Sequence, residues 1–275
     1  MQRYTALMIG SDPKQPFQHL GVTADGPIAT ITMARPTKAN ALSVEHLAEL
    51  ERAALLFRDE PDVRVVVVTG EGPHFSSGAD LDDRPRPDLP LVQRRRNARI
   101  GQRAIEAILE MDQITIAAWR GAAMGGGACV ATACDLRIGG ESCFMQYPEV
   151  DLGINLSWKS LPIITALVGP ARSKRLVIGA ERLDAKTLLD WGILDRLVAD
   201  PELLPTAYAV AADYAAKPPV AAQMIKQSIN QLSNPLGHAI MHMDSDQNLM
   251  SAGTSDRKLA LSTRQTKEDA NFTGD

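Results

Sequence analysis

The chain lacks the marks of several protein classes. No run of about 18 apolar residues occurs, and the first residues do not form a charged-then-apolar targeting pattern, so the sequence predicts a soluble, cytoplasmic protein and no membrane partner. It lacks a basic excess: the formal net charge is -4, which removes the electrostatic ground for nucleic-acid binding. An anionic ligand would therefore need a local basic patch. Only three cysteines are present, without C-x-x-C spacing. That argues against a disulfide framework and a zinc site, and fits a reducing compartment.

What is present is an ordinary globular composition over 275 residues, enough for a large core. The densest stretch runs from Gly121 to Gly153 and combines Gly125-Gly126-Gly127, the small apolar run Ala128–Cys134, and the acid Glu149. A glycine turn opening a buried helix presents free N–H groups at the positive end of the helix dipole, where developing negative charge can be held. A tight strand-to-helix crossover would use the same residues, and the stretch alone does not choose.

The order of elements reads as α/β. Two alternating apolar runs between Phe17 and Met33 flank Asp25-Gly26-Pro27 and predict a hairpin, after a loose leader over 1–15. Ser43 is a candidate N-cap for a helix through Leu47, Leu50 and Ala54. Val63–Thr69 is almost wholly apolar and β-branched, as in a strand buried on both faces, which makes the segment β-α-β. A second such strand, Ile114–Trp119, leads into the glycine triplet. Two strand-to-glycine corners follow, at 65–81 and 114–134, and side by side they could aim two backbone N–H groups at one oxygen.

Between the corners, residues 82–90 hold three prolines and read as a mobile surface segment. One helix is expected to carry Arg94, Arg95, Arg96, Arg99 and Arg103, as a solvated face or a cationic rim. Further helices are expected over 161–168, 173–178, 185–191 with Gly192 as its cap, 202–216 and 219–232, while 243–275 yields no assignment.

Four blocks, RPTKANAL at 35–42, VVVVTGEGPHFSSGADL at 65–81, AAWRGAAMGGGACVATACDLR at 117–137 and PEVDLG at 148–153, resemble the crotonase superfamily of enoyl-CoA hydratases and isomerases. The resemblance implies a spiral of β-β-α repeats over 1–200 with a helical trimerisation region over 201–275. It also implies a homotrimer or a hexamer of paired trimers. The substrate would be an acyl-CoA, and coenzyme A would be part of that substrate rather than a separate cofactor; no metal is implied. Carried over by position, the oxyanion donors are the N–H groups of Ala79 and Gly126. Lys38, Ala39, Ser77, Gly78, Asp80 and Leu81 line the CoA cradle, with Gly125 and Cys129 in the pocket. Trp158 lies where the chain departs from the family's small-residue turn after Leu152-Gly153, and with the arginine-rich helix it is expected to shape the acyl end.

The two hydratase glutamates fall on Cys129 and Glu149, so one acid remains. A thiol is a poor partner for water, whereas one carboxylate above an enolate suffices to move a proton between carbons. The expectation is an enzyme with Glu149 as sole acid/base that favours double-bond isomerisation over hydration. Asp151 is expected to be structural. The alternatives are a silent acyl-CoA-binding protein and a hydrolase or lyase using Cys129 or Ser157.

Overall fold

A computed structural model describes residues 16–83, 88–233, 237, 241–266 and 270–275. Strands β1 (Leu20–Asp25) and β2 (Ile28–Met33) form the expected antiparallel hairpin. Helix α1 (Val44–Leu56) starts at Ser43, whose side chain accepts from the His46 N–H at 3.1 Å. It returns the chain to β3 (Val65–Gly70), parallel to β2, and β4 (Ile114–Trp119) lies parallel against β3. The β-α-β unit and the adjacent second corner are thus as the sequence predicts.

From β4 onward the chain alternates between two sheets. β6 (Leu136–Gly140) and β9 (Arg196–Val198) complete a six-stranded sheet of order β1-β2-β3-β4-β6-β9. β5 (Ala122–Met124), β7 (Phe144–Gln146) and β8 (Leu183–Asp184) form a three-stranded second layer. Single bridges from Leu42 to Ala79 and from Ser76 to Ala123 carry that layer into the earlier loops. Successive turns of the chain therefore stack as a spiral.

Strand β3 is buried on both faces for a clear reason. Val66 and Val68 point into the core shared with α1, α3 (Ile100–Leu109), α4 (Gly126–Ala133) and α5 (Ser160–Val177). Val65 and Val67 meet Leu203, Ala207, Val210 and Ala211 of α7 (Leu203–Ala215) on the opposite face. Each such valine contributes about 1.5–3 kcal/mol through burial.

Helices α6 (Ala185–Asp190), α8 (Pro219–Ser233), α9 (Asp244–Ser251) and α10 (Ser255–Thr266) complete the described chain. Lys226 ties α8 down: its ammonium, almost fully buried, donates to Gln113 O at 2.6 Å and meets Asp135 Oδ2 at 2.7 Å. Among the described residues, no helix is long and apolar enough to cross a membrane.

Three expectations change. The arginine-rich helix is two, α2 (Leu91–Ala98) and α3, with Arg99 between them; Arg95 pairs with Asp246 and Arg103 with Glu51. The helices expected over 161–168 and 173–178 are one interrupted element, α5, kinked where Gly169 takes φ 77° before Pro170. Residues 243–275, unassigned from sequence, supply α9 and α10. Residues 1–15 and 84–87, expected as leader and surface segment, lie outside the described residues.

Candidate functional site

The site forms where the two corners meet. After β3 the chain runs through Ser76, whose N–H donates to Ala122 O at 2.9 Å and whose carbonyl accepts from Met124 N at 3.0 Å. This ladder fixes the first corner against β5. Gly78 then takes φ 92°, and a Cβ there would lie 2.6 Å from Met124 O and 3.3 Å from Gly126 N, so only glycine fits.

A parallel bridge sets the direction of the Ala79 N–H. Leu42 N donates to Gly78 O at 2.8 Å, and Asp80 N donates to Leu42 O at 3.0 Å. Both bonds use the residues flanking Ala79, so its own N–H points away from Leu42. Ala79 is exposed, so that N–H is not taken up by the Leu42 strand.

Gly125 supplies the second corner. Its backbone, φ 48° and ψ -119°, is closed to residues with a side chain, and it turns β5 directly into α4. Gly126 is the first residue of that helix, so its N–H has no carbonyl one turn back to bond. The positive helix end stands behind it.

Glu149 enters from the turn after β7. Its Oε1 lies 2.9 Å from the point a Gly125 Cβ would occupy, which sets the carboxylate beside the Gly125–Gly126 peptide. Part of the residue reaches solvent, but Oε2 is enclosed and has no hydrogen-bond partner among the described residues. Burial without a compensating cation disfavours the charged form, and the pKa rises to about 7. The carboxyl can therefore exchange a proton near neutral pH.

The remaining expected residues divide into groups. Ser77 N donates to Ala39 O at 2.9 Å, and Arg35 pairs with Asp80 at 2.9 Å, so the segments 35–42 and 76–81 form one wall. Lys38 lies at its rim, 2.7 Å from Asp82, with both side chains exposed; Leu81 is exposed beside them. Cys129 is fully buried, and burial first and the Glu149 carboxylate second push its thiol well above the ordinary value. A thiol held protonated is no nucleophile, which removes support from a hydrolase built on it. The Trp158 indole covers Gly126, since a Cβ on that glycine would lie 2.2 Å from Cζ3 of the ring.

Two structural contributors escaped sequence reasoning. Asn40, fully buried at φ 53°, donates to Glu71 O at 2.9 Å and His74 O at 2.8 Å, and accepts from Arg35 N at 2.8 Å. Its carbonyl also accepts from Ser76 Oγ at 2.8 Å, so one side chain and its peptide join three loops. Tolerance of Asn for left-handed backbone was the only signal available for it. Asp244 of α9 accepts from Lys159 N at 2.7 Å and brings the C-terminal helices to the back of the site; nothing local marks it.

A separate cavity of about 780 Å³ opens between α3, α5 and α8, lined by residues including Glu106, Lys159, Ile163, Ile225 and Met241. Ala79, Gly126 and Glu149 do not line it.

The two-layer spiral with its outer helices defines the class: an α/β protein of crotonase-like fold. The chain belongs to the enoyl-CoA hydratase/isomerase family, whose description matches residues 23–274. A crotonyl-CoA hydratase of Syntrophomonas wolfei is 28% identical over 257 residues, covering 93% of this chain and 98% of that protein. A short-chain-enoyl-CoA hydratase of Clostridium acetobutylicum is 30% identical over 208 residues, 75% of this chain and 79% of the other. Among solved structures, an enoyl-CoA hydratase of Mycobacterium avium subsp. paratuberculosis superposes with a TM-score of 0.84 at 25% identity, covering 94% of this chain and all of that one.

Proposed function

We propose that this protein is an acyl-CoA enzyme that moves a proton next to the thioester through a stabilised enolate, with Glu149 as its sole acid/base. The observation that carries this reading is the Glu149 carboxyl, which lies beside the Gly125–Gly126 peptide with one oxygen enclosed, unpartnered and tuned to about 7.

In this reading the thioester oxygen lies between the Ala79 and Gly126 N–H groups. Ionised Glu149 takes a proton from the α-carbon of a 3-enoyl-CoA, and the electron pair moves onto the oxygen as the enolate forms. The same carboxylic acid returns the proton to the γ-carbon, the pair shifts back, and a 2-enoyl-CoA results. Loss of one such oxyanion donor costs about 10²–10³ in rate.

The residue at position 129 favours isomerisation over hydration. Hydration by the two-carboxylate route needs a second acid where Cys129 stands, and a buried neutral thiol neither polarises water nor delivers a proton readily. The relatives are named hydratases, so both activities must be assayed. Incubation with 2-enoyl-CoA and 3-enoyl-CoA, followed by chromatography, tests the reading; turnover of neither, or undiminished turnover by Glu149→Gln, sinks it.

The cradle would hold coenzyme A along Lys38, Ala39 and 77–81, with the exposed Lys38 ammonium free to exchange Asp82 for a phosphate. A homotrimer, alone or paired, fits the apolar side that α8 leaves open: Val220, Met224, Ile229 and Leu232 are all more than half exposed. The second reading, a silent acyl-CoA binder, is favoured by Cys129 in the first acid's position. It predicts binding in calorimetry and no turnover.

A further inference from the structure

We propose that Trp158 closes the acyl end of the pocket and restricts the site to thioesters of short acyl groups. This deepens the acyl-CoA reading of Ala79, Gly126 and Glu149 and rests on it.

The first observation is the seat of the indole. A Cβ added to Gly126 would fall on the indole atoms Cζ3 and Cη2, and one added to Gly101 of α3 would fall on Cε2, Cδ2 and Nε1. The ring is thus wedged between two helices, with its six-membered edge on the residue whose N–H is the proposed oxyanion donor. Both glycines leave the room it fills. An acyl chain whose oxygen lies on Gly126 and whose α-carbon faces Glu149 must pass this ring after its first carbons.

The second observation is that the backbone is bent to deliver the ring there. Trp158 and Lys159 take φ 59° and 58°, two neighbouring non-glycine residues in the left-handed region, which is unfavourable for a bulky side chain. Surrounding contacts hold the turn. Lys159 N donates to Asp244 of α9 at 2.7 Å, the Lys159 ammonium pairs with Glu106 of α3, and the Ser160 hydroxyl donates to Trp158 O at 3.3 Å. Lys159 and Glu106 line the separate cavity of about 780 Å³, whereas Trp158 does not. The turn therefore stands between that cavity and the oxyanion corner, with the indole against Gly126.

The third observation concerns rigidity. Partly exposed, the indole packs against the main core, so it cannot swing aside without vacating its slot between Gly101 and Gly126. A fixed aromatic wall discriminates by length, because each methylene gained or lost in an apolar pocket changes kcat/KM about 10–200-fold.

The experiment compares kcat/KM for four-carbon and ten-carbon enoyl-CoA thioesters in the full chain and in Trp158→Ala and Trp158→Phe. The wild-type protein is expected to prefer the four-carbon thioester. Trp158→Ala is expected to move the ten-carbon to four-carbon ratio upward by at least about tenfold, and Trp158→Phe by less. If Trp158→Ala does not fold, the Phe variant alone must raise the ratio. A wild-type protein that accepts both lengths equally, or a ratio unchanged in the variants that fold, overturns the proposal.

Failure of the underlying reading has a different signature, which is no turnover of either length by the wild type. Calorimetric titration with butyryl-CoA and decanoyl-CoA then decides the pocket by itself. Decanoyl-CoA binding gained on substitution of Trp158 supports the wall; equal binding of both lengths by wild type and variants, or binding of neither, rejects it.

Discussion

Oε1 of Glu149 stands 2.9 Å from the place a Gly125 Cβ would fill. The acid and the glycine before the helix thus share one volume, and any side chain at 125 would expel the carboxylate. Glycine at that position does two jobs: it makes the turn that frees the Gly126 N–H, and it admits the base that would work beside it.

The first prediction concerns pH. Burial raises the Glu149 carboxyl to about 7, and proton abstraction requires the ionised form. For 3-enoyl-CoA isomerisation, kcat/KM should therefore rise about tenfold per pH unit well below 7 and level off above it. Glu149→Gln should lower kcat/KM by about 10²–10⁴ and abolish this limb. A profile flat from about pH 5.5 to about pH 8.5 would remove Glu149 from the chemistry.

The second prediction uses the same shift as a stability statement. The folded carboxyl titrates near 7 against 4.5 for the free group, so the folded state holds the proton more tightly. Its contribution is intact below 4.5 and is lost as pH rises toward 7; ionising it in place costs about 3 kcal/mol. Glutamine carries no such loss. Denaturant titrations should find the stability of Glu149→Gln, relative to wild type, improving by about 3 kcal/mol between acidic and alkaline conditions. No change in that difference would mean the carboxyl is hydrated.

The two corners were legible because Val65–Gly70 and Ile114–Trp119 are nearly pure apolar runs, the first ending in Gly70 and the second followed closely by Gly121. Strand β6 was not, because Arg137 sits inside it. That arginine is buried only because Ile193 O and Cys134 O accept from it and Asp195 lies 3.4 Å away, partners distant in sequence or at a chain reversal. Strands β5, β7 and β8 are too short for a period to register. At the site, Gly126 and Glu149 were named through the family resemblance that their segments carry. The contact of Trp158 with Gly101 could not, since it depends on how α3 packs against the start of α4.

Asn40 offers a third prediction. The amide of the fully buried Asn40 satisfies two carbonyls and one N–H, so truncation leaves partly buried backbone groups without that partner. Asn40→Ala should cost about 2–4 kcal/mol in chemical denaturation. Because Asn40 O also anchors Ser76, whose Oγ accepts from Gly78 N at 3.2 Å, the variant that remains folded should lose kcat beyond any change in KM. A purely thermodynamic effect with unchanged kcat would limit Asn40 to scaffolding.

The last prediction inverts a familiar sign. Glycine within a helix is ordinarily about 0.5–1 kcal/mol worse than alanine, so Gly→Ala on α3 should stabilise the fold if nothing opposes it. At Gly101 something does: the new methyl would fall on the Trp158 indole, which Gly126 confines from the other side. The ring must then shift, and with it the strained turn at 158–159 that Asp244 and Glu106 hold. Gly101→Ala should therefore lower the melting temperature, with an overpacking cost of about 1–3 kcal/mol. Combined with Trp158→Ala, which removes the obstacle, the same substitution should become neutral or stabilising. The double-mutant cycle measures this coupling directly, and purely additive effects would show that the indole does not occupy the slot between the two glycines.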